Sequence, residues 1–356
     1  MSKFVSLIFY LAIYFISALI LHFAVRFKNK AMRFVFCAVA VFIPCFMLGV
    51  RYYVGVDYNT YMILYYRHCN MSFMEYLRAD QTSELGFFIF SRIAGYFDKP
   101  QILFFLFAVV SYLPVALFCL ERKDKSTTFF IAFLFLTSSF TTGMNIMRQT
   151  AAVSIAFYAL KYIYDKKLFK FLLCVLLATC FHSTSIVIIP LYFLWTKRGN
   201  LSLGTLRGVS IVSAYIIFAA NITYILPLLG ERFDGYASGG AQGRNLSILL
   251  SVIWLVIFFI FRKQIVKSEK KDSFLILLYF IGVALSFTGL INVYLKRIAS
   301  YFTFGDFILM IELRNVIDSK SRPLFFIILL AYSLFMFVLT YYIMGQAGIF
   351  PYNWLF

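Results

Sequence analysis

FVFCAVAVFIPCFMLGVRYYVGVDYNTY, residues 34–61, decides how the rest of the chain is read. From Phe34 to Leu48 the residues are apolar; Arg51, Asp57 and four tyrosines then follow with no polar spacer. An apolar run approaching the ~17–25 residues that cross a bilayer predicts a membrane span. The cluster behind it therefore sits at the mouth of a membrane helix, where a buried charge is costly and usually has a purpose.

The same alternation continues in both directions. The 356 residues are 62% hydrophobic, 21% aromatic and 13% charged, a composition far from that of soluble domains. Only helices and closed barrels satisfy backbone hydrogen bonds inside lipid, and apolar runs of this length predict helices. The expected fold is an all-α, polytopic membrane bundle forming one integral domain, residues 1–356. About twelve spans are expected, near 4–25, 33–50, 101–120, 127–142, 147–164, 169–181, 184–196, 208–229, 246–261, 273–291, 298–314 and 324–344. ELGFFIFSRIAGYF (84–97) is apolar but short and interrupted by Arg92 and Gly95, which predicts a re-entrant or interfacial helix. TCFHSTSIVIIP (179–190) predicts two short helices meeting at His182, because the basic loops on either side must share one face of the membrane. The run from Phe4 to Val25 is too long for a signal-peptide core and lacks a small-residue cleavage site, so it reads as a retained span.

The formal charge of +18 comes from short basic clusters between apolar runs. That pattern speaks for membrane orientation and against nucleic-acid binding. RFKNKAMR (26–33), ERKDK (121–125), KYIYDKKLFK (161–170), TKRGN (196–200), RKQIVKSEKKD (262–272) and RNVIDSKSRP (314–323) are assigned to the cytoplasm. Both termini and the segments 51–100, 143–146, 230–245 and 292–297 then face outward. Six cysteines, five of them in or beside spans, form neither a disulfide framework nor a CxxC pair.

Four arginines consequently fall on the face that should be poor in them: Arg51, Arg148, Arg232 and Arg297. Guanidinium forks bind phosphate oxygens bidentately, and a diphosphate at the interface would engage several together. Asp57, Glu84 and His182 lie on the same side and are the candidate general bases, with His182 preferred because its reference pKa is near neutrality. Tyr58, Gln149, Tyr236 and Tyr301 are candidates to position a ligand by hydrogen bonds and stacking. Arg297 and Tyr301, four apart, share a helix face. The glycine-rich RFDGYASGGAQGRN reads as a lid or as a plain connector. No DxD pair or cluster of acids suggests a metal site.

In order along the chain, these motifs resemble a family. GVRYYVGVDYNTY and SELGFFIFSRI resemble the first two elements of EpsG-type, Wzy-like polysaccharide polymerases. MNIMRQTAAVSIAFYAL is similar to the family's Arg-Gln helix, and ATCFHSTSIVIIPLYF to its Phe-His segment. RFDGYASG and NVYLKRIASYF match later arginine-and-tyrosine positions, so the resemblance covers residues 48 to 305. It implies a glycosyltransferase of GT-C-like architecture in the bacterial inner membrane, with its active site facing outward. The enzyme would move a growing glycan from undecaprenyl diphosphate onto the end of a lipid-linked repeat unit. The resemblance implies no metal and no cofactor; membrane lipid, a chain-length regulator and a flippase are the expected partners. A transporter of lipid-linked oligosaccharide and an O-antigen ligase are the alternatives. The absence of a half-to-half repeat weighs against the transporter.

Overall fold

The computed structural model describes residues 1–79, 83–196, 210–211, 213–215, 217, 245–266, 270–288 and 295–355. Arg232 and Tyr236 lie outside them, as does most of the predicted span at 208–229. Every regular element among the described residues is a helix. Their contacts divide into two compact units.

The first unit comprises residues 1–158, 177–183 and 323–356. It contains the four helices that, among the described residues, are long and apolar enough to cross a membrane: α1 (Lys3–Ala24), α2 (Lys30–Gly49), α6 (Pro100–Glu121) and the last helix, Arg322–Ile343. Ser2 accepts from Val5 N to start α1, and Asn29 accepts from Ala31 N and Met32 N to start α2. At ~1.5 Å per residue, the 22 residues of α1 match a bilayer core of ~30 Å. α1 packs on α2, and α2 on α6. α7 (Thr128–Phe135) packs beside α1 and continues as one π-helical turn, Leu136–Phe140. In this turn Thr137 meets Ser333 at 2.7 Å, and Thr141 donates to Tyr14 at 3.0 Å one residue beyond it. These side-chain bonds tie helices where no water can reach them.

Between α2 and α6 the predicted outer segment 51–100 is not a loop. It folds as α3 (Tyr58–His68), α4 (Phe73–Arg78) and α5 (Leu85–Tyr96). Ser72 and Glu75 form a reciprocal capping box that starts α4. α5 is a short helix, as expected for 84–97, and it runs through Arg92 and Gly95. Arg92 donates to Cys69 O at 2.8 Å, and Gly95 sits so close to Cys69 that a Cβ there would lie 2.6 Å from its carbonyl oxygen. Both residues serve the docking of α5 on the end of α3. At 12 residues α5 is ~18 Å long, too short to span.

The chain's last segment returns to the arginine loop. Tyr52 N donates to Asn353 O, Leu355 N to Val50 O, Gly55 N to Gly348 O and Val56 N to Ala347 O. Tyr352 donates its hydroxyl to Met47 O at 2.7 Å, and its backbone nitrogen donates to the Ser6 hydroxyl at 2.9 Å. Residues 345–355 thus form a strap over residues 50–56.

The second unit comprises residues 159–176 and 184–322. The helix Asp272–Thr288 packs on the helices Leu295–Thr303 and Asn245–Ile260. The span predicted at 298–314 is broken. The helix stops at Thr303, Gly305 caps a new one running Asp306–Glu312, and a 3-10 turn follows at Leu313–Val316. The spans predicted at 127–142, 169–181, 184–196, 246–261 and 273–291 correspond to apolar helices of 10–17 residues. Two further helices, α8 (Met147–Tyr164) and α9 (Leu168–Phe181), precede a 3-10 helix that begins at Ser183, so the predicted break at His182 is present.

Candidate functional site

α5 begins at Ser83-Glu84-Leu85, with Glu84 in extended conformation as its N-cap residue. The Glu84 side chain is not used as a cap. It reaches across to the head of α8, where Arg148 Nη1 donates to Oε2 at 2.6 Å. His182, just past the end of α9, donates from Nδ1 to Oε1 at 3.0 Å. Glu84 and His182 are buried, with side chains 5% and 10% exposed, whereas Arg148 keeps 24% of its side chain exposed. Three elements far apart in sequence therefore meet at one carboxylate.

Gly86 makes that meeting possible. A Cβ on it would lie 2.8 Å from Cys180 O and 2.8 Å from the Phe181 ring, so α5 approaches the end of α9 as closely as backbone allows. A carboxylate that accepts from Nδ1 fixes the imidazole tautomer, with the proton on Nδ1 and the lone pair on Nε2. One orienting acid, one cation and one oriented base is the arrangement used for proton abstraction beside an anionic group.

Around this centre the predicted residues distribute unevenly. Arg51 is 1% exposed, its guanidinium 4.7 Å from the Phe104 ring centre and 5.9 Å from that of Tyr58. Burial pulls its pKa below the usual arginine value, while the neighbouring tyrosines oppose the shift. Tyr58 is itself buried and stacks on Phe104 at 5.0 Å, which makes it a support for Arg51. Gln149 is buried beside Arg148 in sequence, and Asp57 is half-exposed at the head of α3. Arg297 and Tyr301 belong to the second unit, where Tyr301 accepts from Thr184 at 3.2 Å. Arg232 and Tyr236 fall outside the described residues.

Sequence reasoning missed three participants. Tyr61 donates its hydroxyl to Asn145 O, stacks on Phe87 at 6.0 Å, and feels the charges of both Arg148 and Arg51. Arg148 lies over the same Phe87 ring at 5.9 Å. Burial pushes the Tyr61 pKa up to about 12, so it remains a neutral donor. Asn145 donates from Nδ2 to Ala347 O at 3.0 Å and so joins the strap to the head of α8. His68, buried, donates from Nδ1 to Leu64 O at 2.7 Å, leaving Nε2 to accept from Ser83 at 3.4 Å. Burial lowers its pKa, which keeps it neutral against the residue that precedes Glu84. The signals were present as the last tyrosine of DYNTY and the asparagine of MNIMRQ, but their partners are more than 80 residues away.

Comparison with known proteins adds one finding. The model of the EpsG family matches residues 33–354, nearly the whole chain. No curated protein and no solved structure matches.

Proposed function

Because the chain belongs to the EpsG family and is a helical membrane protein of the kind that serves polysaccharide biosynthesis, we propose that it is a Wzy-type glycosyltransferase. It joins lipid-linked oligosaccharide units at the outer face of the bacterial inner membrane. The observation that carries this reading is Glu84 held between Arg148 and His182, at 2.6 and 3.0 Å.

In this mechanism His182 Nε2 takes the proton from a sugar hydroxyl of the acceptor unit. The hydroxyl oxygen attacks the anomeric carbon of the donor glycan as the bond from that carbon to the diphosphate oxygen breaks. The electron pair leaves on undecaprenyl diphosphate, whose growing charge Arg148 stabilises. Glu84 acts as a positioning residue: with one oxygen on each partner, it orients the base and holds the fork. Arg51 is too deeply buried for the carrier's phosphates to reach, and its role lies in fixing the loop beneath the site. Orientation follows from charge. Arg33 and Lys125 lie close enough to act on Cys37, and Arg33 and Arg122 on Lys125, at the start of α2 and just past the end of α6. The positive-inside rule assigns that side to the cytoplasm.

Two experiments test the reading. Purified protein supplied only with undecaprenyl-diphosphate-linked repeat units will form new glycosidic bonds and release free carrier. Movement of those units across vesicle membranes without bond formation would identify a transporter instead. Glu84→Gln preserves shape while removing the charge, and polymer formation will fall about 10- to 100-fold, the usual effect of losing an orienting partner. A variant with unaltered rate and unaltered pH profile would remove Glu84 from the mechanism.

A further inference from the structure

Tyr53 adopts the left-handed backbone conformation, with φ at +51°. That region is costly for an aromatic residue and open to glycine, which has no Cβ to collide with the backbone. The strap holds the turn in place: Tyr52 N donates to Asn353 O at 2.9 Å, and Gly55 N to Gly348 O at 3.0 Å. A tyrosine kept in a conformation suited to glycine points to a use for its ring. That use is not core packing, since Tyr53 is 60% exposed and Tyr52 43%. The two rings meet edge to face with centres 4.6 Å apart, forming an open corner with two aromatic walls.

The corner connects with the Glu84, Arg148 and His182 cluster. Tyr53 lies 5.3 Å from Tyr58 at the start of α3, and Tyr61, one turn further along α3, feels the charge of Arg148. A run of rings thus leads from Arg148 to the surface. Aromatic faces are electron-rich and attract the polarised C–H bonds of a sugar, while phenol hydroxyls add hydrogen bonds at the rim. Tyrosines also anchor proteins at membrane interfaces, but anchoring needs no left-handed backbone. We propose that Tyr52 and Tyr53 form a glycan-binding subsite, which holds one sugar residue of the chain being extended. The identity of the ligand rests on the polymerase reading; the backbone of Tyr53 and the open ring pair do not.

The test uses the full chain purified in detergent, titrated with oligosaccharide repeat units cleaved from their carrier lipid by mild acid. Binding is read by saturation-transfer NMR on the sugar protons. The wild type will bind saturably. Tyr53→Gly will weaken binding about 10-fold, the size of a lost aromatic contact, yet melt near the wild-type temperature because glycine suits this backbone. Tyr52→Ala, which leaves the conformation of residue 53 alone, will weaken binding as well. A wild type that transfers no saturation to the glycan overturns the proposal. So does either variant binding as tightly as the wild type, or Tyr53→Gly melting far below it, which would make the ring a packing element. Bond formation is scored separately: binding lost in both variants, with no glycosidic bonds made by the wild type, would retire the polymerase reading and keep the subsite. Bond formation with undiminished binding in both variants would do the reverse.

Discussion

His182→Asn will lower polymer formation by about 10²- to 10⁴-fold, the range expected when a positioned general base is lost. Asparagine is the informative replacement because its amide NH₂ can occupy the place of Nδ1 and keep donating to Glu84. The buried carboxylate thus stays hydrogen-bonded, and protein abundance and melting temperature will remain near those of the wild type. What disappears is the Nε2 lone pair. An asparagine variant that elongates glycans at the normal rate would reduce His182 to a joint between two short helices.

The second large effect is expected at Arg148. Alanine there will slow bond formation by about 10²- to 10³-fold through loss of a preorganised cation at the leaving group. Single repeat units will accumulate on the carrier lipid in place of long polymer. Alanine also strips Glu84 of its partner at 2.6 Å, so some loss of stability will accompany the loss of rate. Arg148→Lys divides the two consequences. It keeps the charge beside Glu84 and restores melting temperature, but an ammonium cannot present the two-pronged donor that grips a phosphate, and most of the rate deficit will persist. Long-chain polymer from the alanine variant at normal protein levels would refute the assignment.

Much of the architecture is legible in the residues alone. Hydropathy places α1, α2, α6 and the last long helix, because a span must be long and apolar whatever it touches. The break at His182 is legible too, since basic loops on both sides of residues 169–196 require the chain to reverse. α3 and α4 are not. They are short, mixed helices that bury tyrosines (Tyr58, Tyr61, Tyr65 and Tyr76) while Ile63, Met74 and Leu77 stay exposed, and no periodic apolar signal survives in six to eleven residues.

At the site, sequence could nominate Glu84, Arg148 and His182 separately but could not join them. Their contacts bridge 64 and 98 positions and depend on Gly86 allowing two backbones to touch. Nor did the charge of Arg51 reveal its burial. An arginine after an apolar run reads as interfacial, and only the packed rings of Phe104 and Tyr58 withdraw it from water.

The strap formed by residues 345–355 has an implication for biosynthesis. Arg51 emerges from the ribosome long before the backbone around Trp354 that pairs with it. Throughout that interval the nascent arginine loop must wait, unzipped, for its complement, so maturation is tied to translation of a distant stretch. An affinity handle inserted beside Trp354 would burden that late closure directly, and one placed in the basic turn between α1 and α2 would leave it alone.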